Sequence, residues 1–371
     1  MAIPLLDLVA QHGAVGDDVQ RAVAAVVDRQ GFIMGPEVAT LERRVAELSG
    51  ARHGIGCASG TDALLLSLRC LDLQPGDEVI TPAFTFFATA GAIHNAGGTP
   101  VFVDIDPDTF CLDPEAVASA VTSRTRGIVA VHLFGQMAAM GPLMELAGRH
   151  DLALIEDAAQ AIGARRRMEG SWRVAGSLGT TGTLSFFPTK NLGGWGDGGM
   201  ILANDDALAE RLRRLRLHGG ASEYRHEEVG LNSRLDTLQA AVLLAKLPHL
   251  ADWSALRRSH ANHYTEALAT CPGVRPPVAD QANEHIFHQY TIRAERRDEL
   301  QGHLARNDVG NKIYYPLALH LQPCFADLGY RRGSLPLTEA AMDEVLSLPI
   351  YPELTDSQLN RVISVIREFY D

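Results

Sequence analysis

Residues 183–200 read Thr183-Leu-Ser185-Phe-Phe-Pro-Thr-Lys190-Asn-Leu-Gly193-Gly-Trp195-Gly-Asp-Gly-Gly199-Met200. An apolar run of strand length, Thr183–Phe187, delivers Ser185 and then Lys190, and five of the next nine residues are glycine. Glycine at that density lets backbone close tightly around a bound group. The lysine is conspicuous because the chain has only three, Lys190, Lys246 and Lys312, against 30 arginines. A lysine amine can lose its proton and form an imine, which a guanidinium cannot do. Lys246 ends a helical pattern and reads as a charge favouring the helix dipole. Lys312 is equally a solvated charge or a substrate contact.

Outward from this stretch, short apolar runs alternate with segments of helical period. Strands are expected at Ile55–Ala58, Glu78–Thr81, Val101–Ile105, Gly127–Leu133, Leu152–Ile155, Thr183–Phe187 and Met200–Ala203. Helices are expected at Ala63–Leu71, Thr89–Ala96, Pro114–Ala120 and Met140–Arg149. That alternation predicts an α/β fold: a mostly parallel seven-stranded sheet with helices on both faces. Runs such as ALIED suit central strands buried on both sides. An arm and an amphipathic helix with Val19, Val23, Val26 and Val27 on one face precede it. A helix at Leu235–Leu247 ends at Pro248, after which proline-rich and mixed elements follow. The expected division is 1–248, an N-terminal arm and large domain, and 249–371, a smaller α+β C-terminal domain.

The 371 residues are 46% hydrophobic and carry a net charge of −12. Such a chain has a sizeable core and no general electrostatic attraction to nucleic acid or anionic membrane. No apolar run approaches the roughly 18 residues of a membrane span, and the start lacks the features of a secretory leader, so a cytoplasmic protein is expected. The five cysteines, at 57, 70, 111, 271 and 324, form no CxxC pair and read as buried reduced thiols. His260-x-x-His263 and His285-x-x-His288 lack a third ligand of fixed spacing, so no metal is expected. GxxxxGK[ST] does not occur, which removes the P-loop, and the GxGxxG at Gly194–Gly199 leads into the expected strand Met200–Ala203 instead of opening a helix, so it is not the dinucleotide fingerprint.

Ligands of open parallel sheets bind at the carboxyl ends of strands. After Ile55–Ala58 comes Ser59-Gly60-Thr61-Asp62, opening a helix, a local arrangement suited to phosphate. After Leu152–Ile155 comes Glu156-Asp157, and a carboxylate there requires a cationic partner. A phosphate cradle, a buried carboxylate and an imine-forming lysine together are what pyridoxal 5′-phosphate needs: the lysine holds the aldehyde and the aspartate keeps the ring nitrogen protonated. The run Thr81–Thr89 supplies aromatic candidates for the ring face.

The motifs CASGTDALLLSL, GDEVITPAFTFFATA, LIEDAAQAIGA, SFFPTKNLGGWGDGGM and VGLNSRLDTLQAAVLLAKL resemble, nearly end to end, the sugar-nucleotide aminotransferases of the DegT/DnrJ/StrS family, of fold type I. The resemblance implies that Lys190 carries the cofactor and shuttles the proton, that Asp157 pairs with the pyridinium nitrogen, and that Gln160 lies beside the ring hydroxyl. It puts Phe86 on the ring face, and Gly60, Thr61 and Ser185 around the phosphate. Asn232 would reach the phosphate of a neighbouring subunit's cofactor in a homodimer, and Arg234, Tyr315 and His320 would border the sugar. The implied reaction takes an amino group from L-glutamate, leaving 2-oxoglutarate, to a keto-sugar nucleotide. Likeness to members acting at C3, including UDP-2-acetamido-3-oxo-uronic acids, favours a 3-keto sugar; 4-keto-6-deoxy sugars linked to dTDP or GDP are the alternative. A non-catalytic cofactor-binding sensor is remoter. Two departures bear on substrate: the arginine-rich segment Arg165–Ala175 and Trp195 in the glycine loop.

Overall fold

The computed structural model describes residues 2–371 apart from Glu223. The chain opens with two helices, α1 (Leu8–Asp28) and α2 (Pro36–Ser49). The next region runs β1 (His53–Cys57), α3 (Gly60–Arg69), β2 (Glu78–Pro82), α4 (Ala88–Asn95), β3 (Thr99–Val103), α5 (Pro114–Ala120), β4 (Thr125–Val131), α6 (Met140–His150) and β5 (Ala153–Asp157). A hairpin, β6 (Arg165–Met168) and β7 (Ser171–Val174), leads to β8 (Thr181–Ser185) and β9 (Gly199–Ala203), followed by α7 (Asp206–Leu215) and α8 (Thr237–Lys246).

The seven expected strands form one sheet in the order β1-β9-β8-β5-β4-β2-β3. Strands β8, β5, β4, β2 and β3 run parallel, while β9 pairs antiparallel with both β8 and β1. The parallel strands are near-continuously apolar because both faces are covered: Ile80, Ile128, Val129 and Ile155 are buried. In α1, Val15 and Val19 are buried against α8 and Val26 is buried too, but Val27 faces outward, one residue of helical rotation beyond the apolar stripe.

After α8 a long helix, Leu250–Leu268, leads to a three-stranded sheet containing Tyr290–Ala294 and Val345–Leu348 and to the closing helix Asp356–Tyr370. These elements enclose their own apolar cluster, with Tyr264, Tyr290, Leu346 and Val362 fully buried. All five cysteines are free; Cys57, Cys111 and Cys271 are buried, whereas Cys324 is exposed, contrary to expectation. Among the described residues, no helix is long and apolar enough to cross a membrane.

Candidate active site

The segment expected to hold phosphate, Ser59–Asp62, packs closely against the end of β8 and the start of β9. Ser59 caps α3, its hydroxyl accepting from Asp62 N at 3.1 Å. The first-turn N–H groups of a helix have no intrahelical partner. Ser185 at the end of β8 lies against Gly60: a Cβ on Gly60 would fall 2.7 Å from Ser185 Cβ. A Cβ on Gly199 would fall 2.3 Å from the Ser59 carbonyl oxygen. Only glycine at 60 and 199 lets helix start and strand end come together, which gives the anion-suited loop a second wall. Thr61, in the first turn of α3, is exposed beside them.

Asp157 ends β5 and is buried. Its Oδ2 accepts from the Thr89 hydroxyl at 2.9 Å and its Oδ1 from Ala159 N at 3.2 Å. Burial pushes this carboxyl above the ordinary range; the two hydrogen bonds and the nearby Lys190 charge oppose that rise. Lys190 follows β8, its backbone N–H closing a turn onto the Phe187 carbonyl at 2.8 Å. Burial lowers its amine to about 8, and Asp157 works against the fall. The two groups therefore face each other as an amine close to neutrality and a carboxylate poorly solvated by water.

Gln160 is fixed from both ends. Its Oε1 accepts from Phe134 N at 2.8 Å and its Nε2 donates to the Tyr315 hydroxyl at 3.0 Å. Phe86 is 57% exposed, its ring centroid 6.4 Å from that of Tyr315. An apolar ring so exposed at the carboxyl end of a buried strand is unusual in a packed fold and suits a ligand face. Asn232 is exposed and Arg234 half-buried, flanking Ser233, which turns inward to donate to Asp62 Oδ2 at 2.7 Å.

His320 is buried and paired through Nε2 with Glu339 Oε1 at 3.1 Å, while Glu339 also caps the backbone of Gly333 and Leu335. Its imidazole is enclosed by the chain's own loop. Lys246 ends α8 as expected, and it is also buried, donating to Gln11 Oε1 at 3.1 Å and to the Gly193 carbonyl at 2.8 Å. Lys312 is exposed, its Nζ 5.8 Å from the Tyr314 ring centroid. The arginine-rich segment forms the β6–β7 hairpin, where Arg165 pairs with Glu284 and Arg166 with Asp280. Trp195 is partly exposed with its ring 5.6 Å from His12.

Several supporting residues carry no sequence signal. Glu156 is wholly buried, accepting from Gly176 N (2.9 Å), Leu178 N (2.6 Å), Gly179 N (2.8 Å) and His132 Nε2 (2.9 Å). His132 Nδ1 accepts from Ala138 N, so its proton lies on Nε2, toward Glu156. His288, buried and held well below the usual histidine range by burial and by the Lys190 charge, meets Asn191 Oδ1 through Nδ1 at 3.0 Å. Only alternation along β5 hinted at any of these: it sends Glu156 to the face opposite Asp157.

The mostly parallel seven-stranded sheet with its flanking helices is the fold type I transferase architecture. The sequence signature of the DegT/DnrJ/EryC1/StrS aminotransferase family matches residues 14–367, and the chain belongs to that family. It is 51% identical over 372 aligned positions to the "Pleiotropic regulatory protein" of Geobacillus stearothermophilus, covering all of this chain and 99% of the relative. It is 44% identical to the UDP-N-acetyl-3-dehydro-alpha-D-glucosamine 3-aminotransferase of Acidithiobacillus ferrooxidans, covering 99% of this chain and 97% of that one. The crystal structure of S. venezuelae DesV in complex with a ketimine intermediate superposes with a TM-score of 0.96 at 43% identity, covering 100% of this chain and 99% of that one.

Proposed function

We propose that this aminotransferase, working with pyridoxal 5′-phosphate in the cytoplasm, moves an amino group from L-glutamate to a 3-keto sugar nucleotide of the UDP-2-acetamido-3-oxo-uronic acid type. The observation that carries the cofactor assignment is the juxtaposition of three parts: an amine near 8, a buried carboxylate, and a cradle that a single Cβ at Gly60 would fill. These residues fit the cofactor's aldehyde, ring nitrogen and phosphate. When bound, the cofactor supplies an electron sink for the bond being broken at the amino acid α-carbon.

The chain's residues do the rest. Lys190 Nζ, neutral in part at physiological pH, accepts the α-proton and returns it on the acceptor side. Asp157, steered by Thr89 Oγ1, holds a proton on the ring nitrogen. Gly60, Thr61 and Ser185 bind the phosphate, Phe86 covers the ring, and the Gln160 amide, oriented by Phe134 N and Tyr315, lies beside the ring hydroxyl. Tyr315 borders the sugar. Asn232 and Arg234 serve the site of a second copy, and exposed Phe32, Ile33, Met34 and Leu217 favour that reading. Ile33 bridges to Asp236 and Leu217 to Asn232, so an apolar patch borders the segment that would cross. The large domain, 1–248, holds the cofactor and the smaller, 249–371, supplies Tyr315.

The 44% identical UDP-linked relative supports the sugar class. The test is nitrogen transfer from ¹⁵N-labelled glutamate to a panel of 3-keto and 4-keto sugar nucleotides, read by mass of the product. Label on a UDP-linked 3-keto sugar is the expected outcome; label only on 4-keto sugars overturns the substrate assignment. The relative named as a regulator motivates a second reading, a sensor that binds cofactor without turnover. Such a protein transfers no label to any acceptor.

A further inference from the structure

The loop that carries Lys190 is tied at its strand end by its own backbone: Phe186 N donates to the Gly198 carbonyl and Gly194 N to the Phe186 carbonyl, both at 2.8 Å. Its outer turn is held differently. The Gly193 carbonyl accepts from Lys246 Nζ at 2.8 Å, and Trp195 N donates to Gln239 Oε1, also at 2.8 Å. Both side chains come from α8, seven residues and so two turns apart, on one face. The Gln239 amide threads between two glycines: a Cβ on Gly194 would lie 2.7 Å from Oε1, and one on Gly196 2.9 Å from Nε2. The glycine density of this loop is thus partly explained by the amide that clamps it.

Lys246 also answers why a lysine survives here in an arginine-dominated chain. Buried Arg216 pairs with Glu42 and buried Arg293 with Glu344; buried Arg257 donates to the backbone carbonyls of Phe287 and Ile350, and there burial lowers the guanidinium while Glu353 opposes the fall. Lys246 is 4% exposed and meets only neutral acceptors, the Gln11 amide and a carbonyl. A guanidinium cannot shed its charge, so burying it without a carboxylate is costly; an amine serves both acceptors even when neutral. Burial alone acts on this amine and lowers it to about 8.

We propose that Lys246 and Gln239 are positioning residues that hold the outer turn of the loop and thereby fix where Lys190 Nζ meets the cofactor. The proposal rests on the reading of Lys190 as the cofactor-carrying amine. No reacting group touches either side chain; they act through the backbone of residues 193–195. Because α8 follows directly on the segment bearing Asn232 and Arg234, one rigid element bounds both the chain's own lysine loop and the segment assigned to the second copy.

The test measures the rate at which pyridoxal 5′-phosphate, added to cofactor-free protein and trapped by borohydride, labels each lysine, read by peptide mass in K246M and Q239L. Three lysines make the readout simple. In the parent protein the label must fall on Lys190; label elsewhere overturns the underlying reading and not the clamp. A cavity of about 250 Å³ beside Lys246, lined by Leu8, Val15, Val19 and Trp195, gives methionine room. Expected is Lys190 labelling, measured on folded protein well below each variant's thermal midpoint, slowed about tenfold to a hundredfold in each variant, the cost of a displacement on the order of 1 Å at a reacting atom. A merely structural role lowers the midpoint and leaves the labelling rate of folded protein unchanged, which overturns the proposal. Should K246M not fold, Q239L decides alone, since Gln239 is only half-buried and leucine preserves its volume.

Discussion

Lys190 titrating near 8 has a consequence that can be measured without any substrate. With an amine at about 8, roughly 9% is neutral at pH 7, against about 0.03% for an ordinary lysine near 10.5, an advantage of about 300-fold in nucleophile. Burial produces this shift, and Asp157 opposes it. Competitive acetylation with trace acetic anhydride across pH 6–11, followed by peptide mass, yields the midpoint of each lysine in cofactor-free protein. For Lys190 the reactivity should rise with a midpoint close to 8. In D157N the opposing anion is gone, so the midpoint should move lower still, never higher. A Lys190 midpoint near 10.5, or an upward move in D157N, would refute the account of how the fold prepares this amine.

Other outcomes follow from the same geometry. Glu156→Gln keeps one carbonyl oxygen for Leu178 N and Gly179 N but turns an NH₂ toward Gly176 N and His132 Nε2, leaving two buried donors unpaired; the expected loss is about 2–6 kcal/mol in urea unfolding, and a loss under about 1 kcal/mol contradicts it. Burial pushes the Glu156 carboxyl up, but His132 and the N–H groups of Gly176 and Gly179 outweigh it and hold it low. Its stabilisation is therefore present above the unfolded carboxylate range and lost as pH falls through its depressed folded value, so E156Q should flatten the acid limb of stability against pH. Gly60→Ala sets a Cβ 2.7 Å from Ser185 Cβ and should weaken cofactor binding about tenfold or more, measured by fluorescence titration, with the fold retained. If sites are shared between two copies, mixing inactive N232A with inactive K190A should restore about a quarter of the sites, because half the dimers are hybrids with one intact site each; no recovery on mixing disproves the sharing.

Much of the site was legible because its signals are local. Gly60, Ser185 and Lys190 announce themselves by glycine next to hydroxyl or amine at strand ends, and Asp157 by a carboxylate closing an apolar run. Their supports were not legible, because each is a contact between remote segments. Thr89 reaches Asp157 across 68 residues and Lys246 reaches Gly193 across 53. The burial of His320 was not legible for the same reason: only the arrival of Glu339, 19 residues further on, encloses it. Lys246 was legible as the end of α8 but not as buried, because helical position describes where a residue sits along α8 and not what packs on that helix.

Sequence by itself determined the elements and their chemistry: seven strand-length runs, the helices between them, and one lysine in a glycine loop. These follow from periods of two and 3.6 residues and from bonds a residue type can or cannot form, which are properties of neighbours along the chain. The tertiary structure alone decided the order β1-β9-β8-β5-β4-β2-β3, the reversed direction of β9, and the meeting of Gly60 with Ser185. It also decided which ionisable groups lose water. Pairing and desolvation depend on distances between residues tens of positions apart, and local sequence carries no record of those distances until the chain has packed.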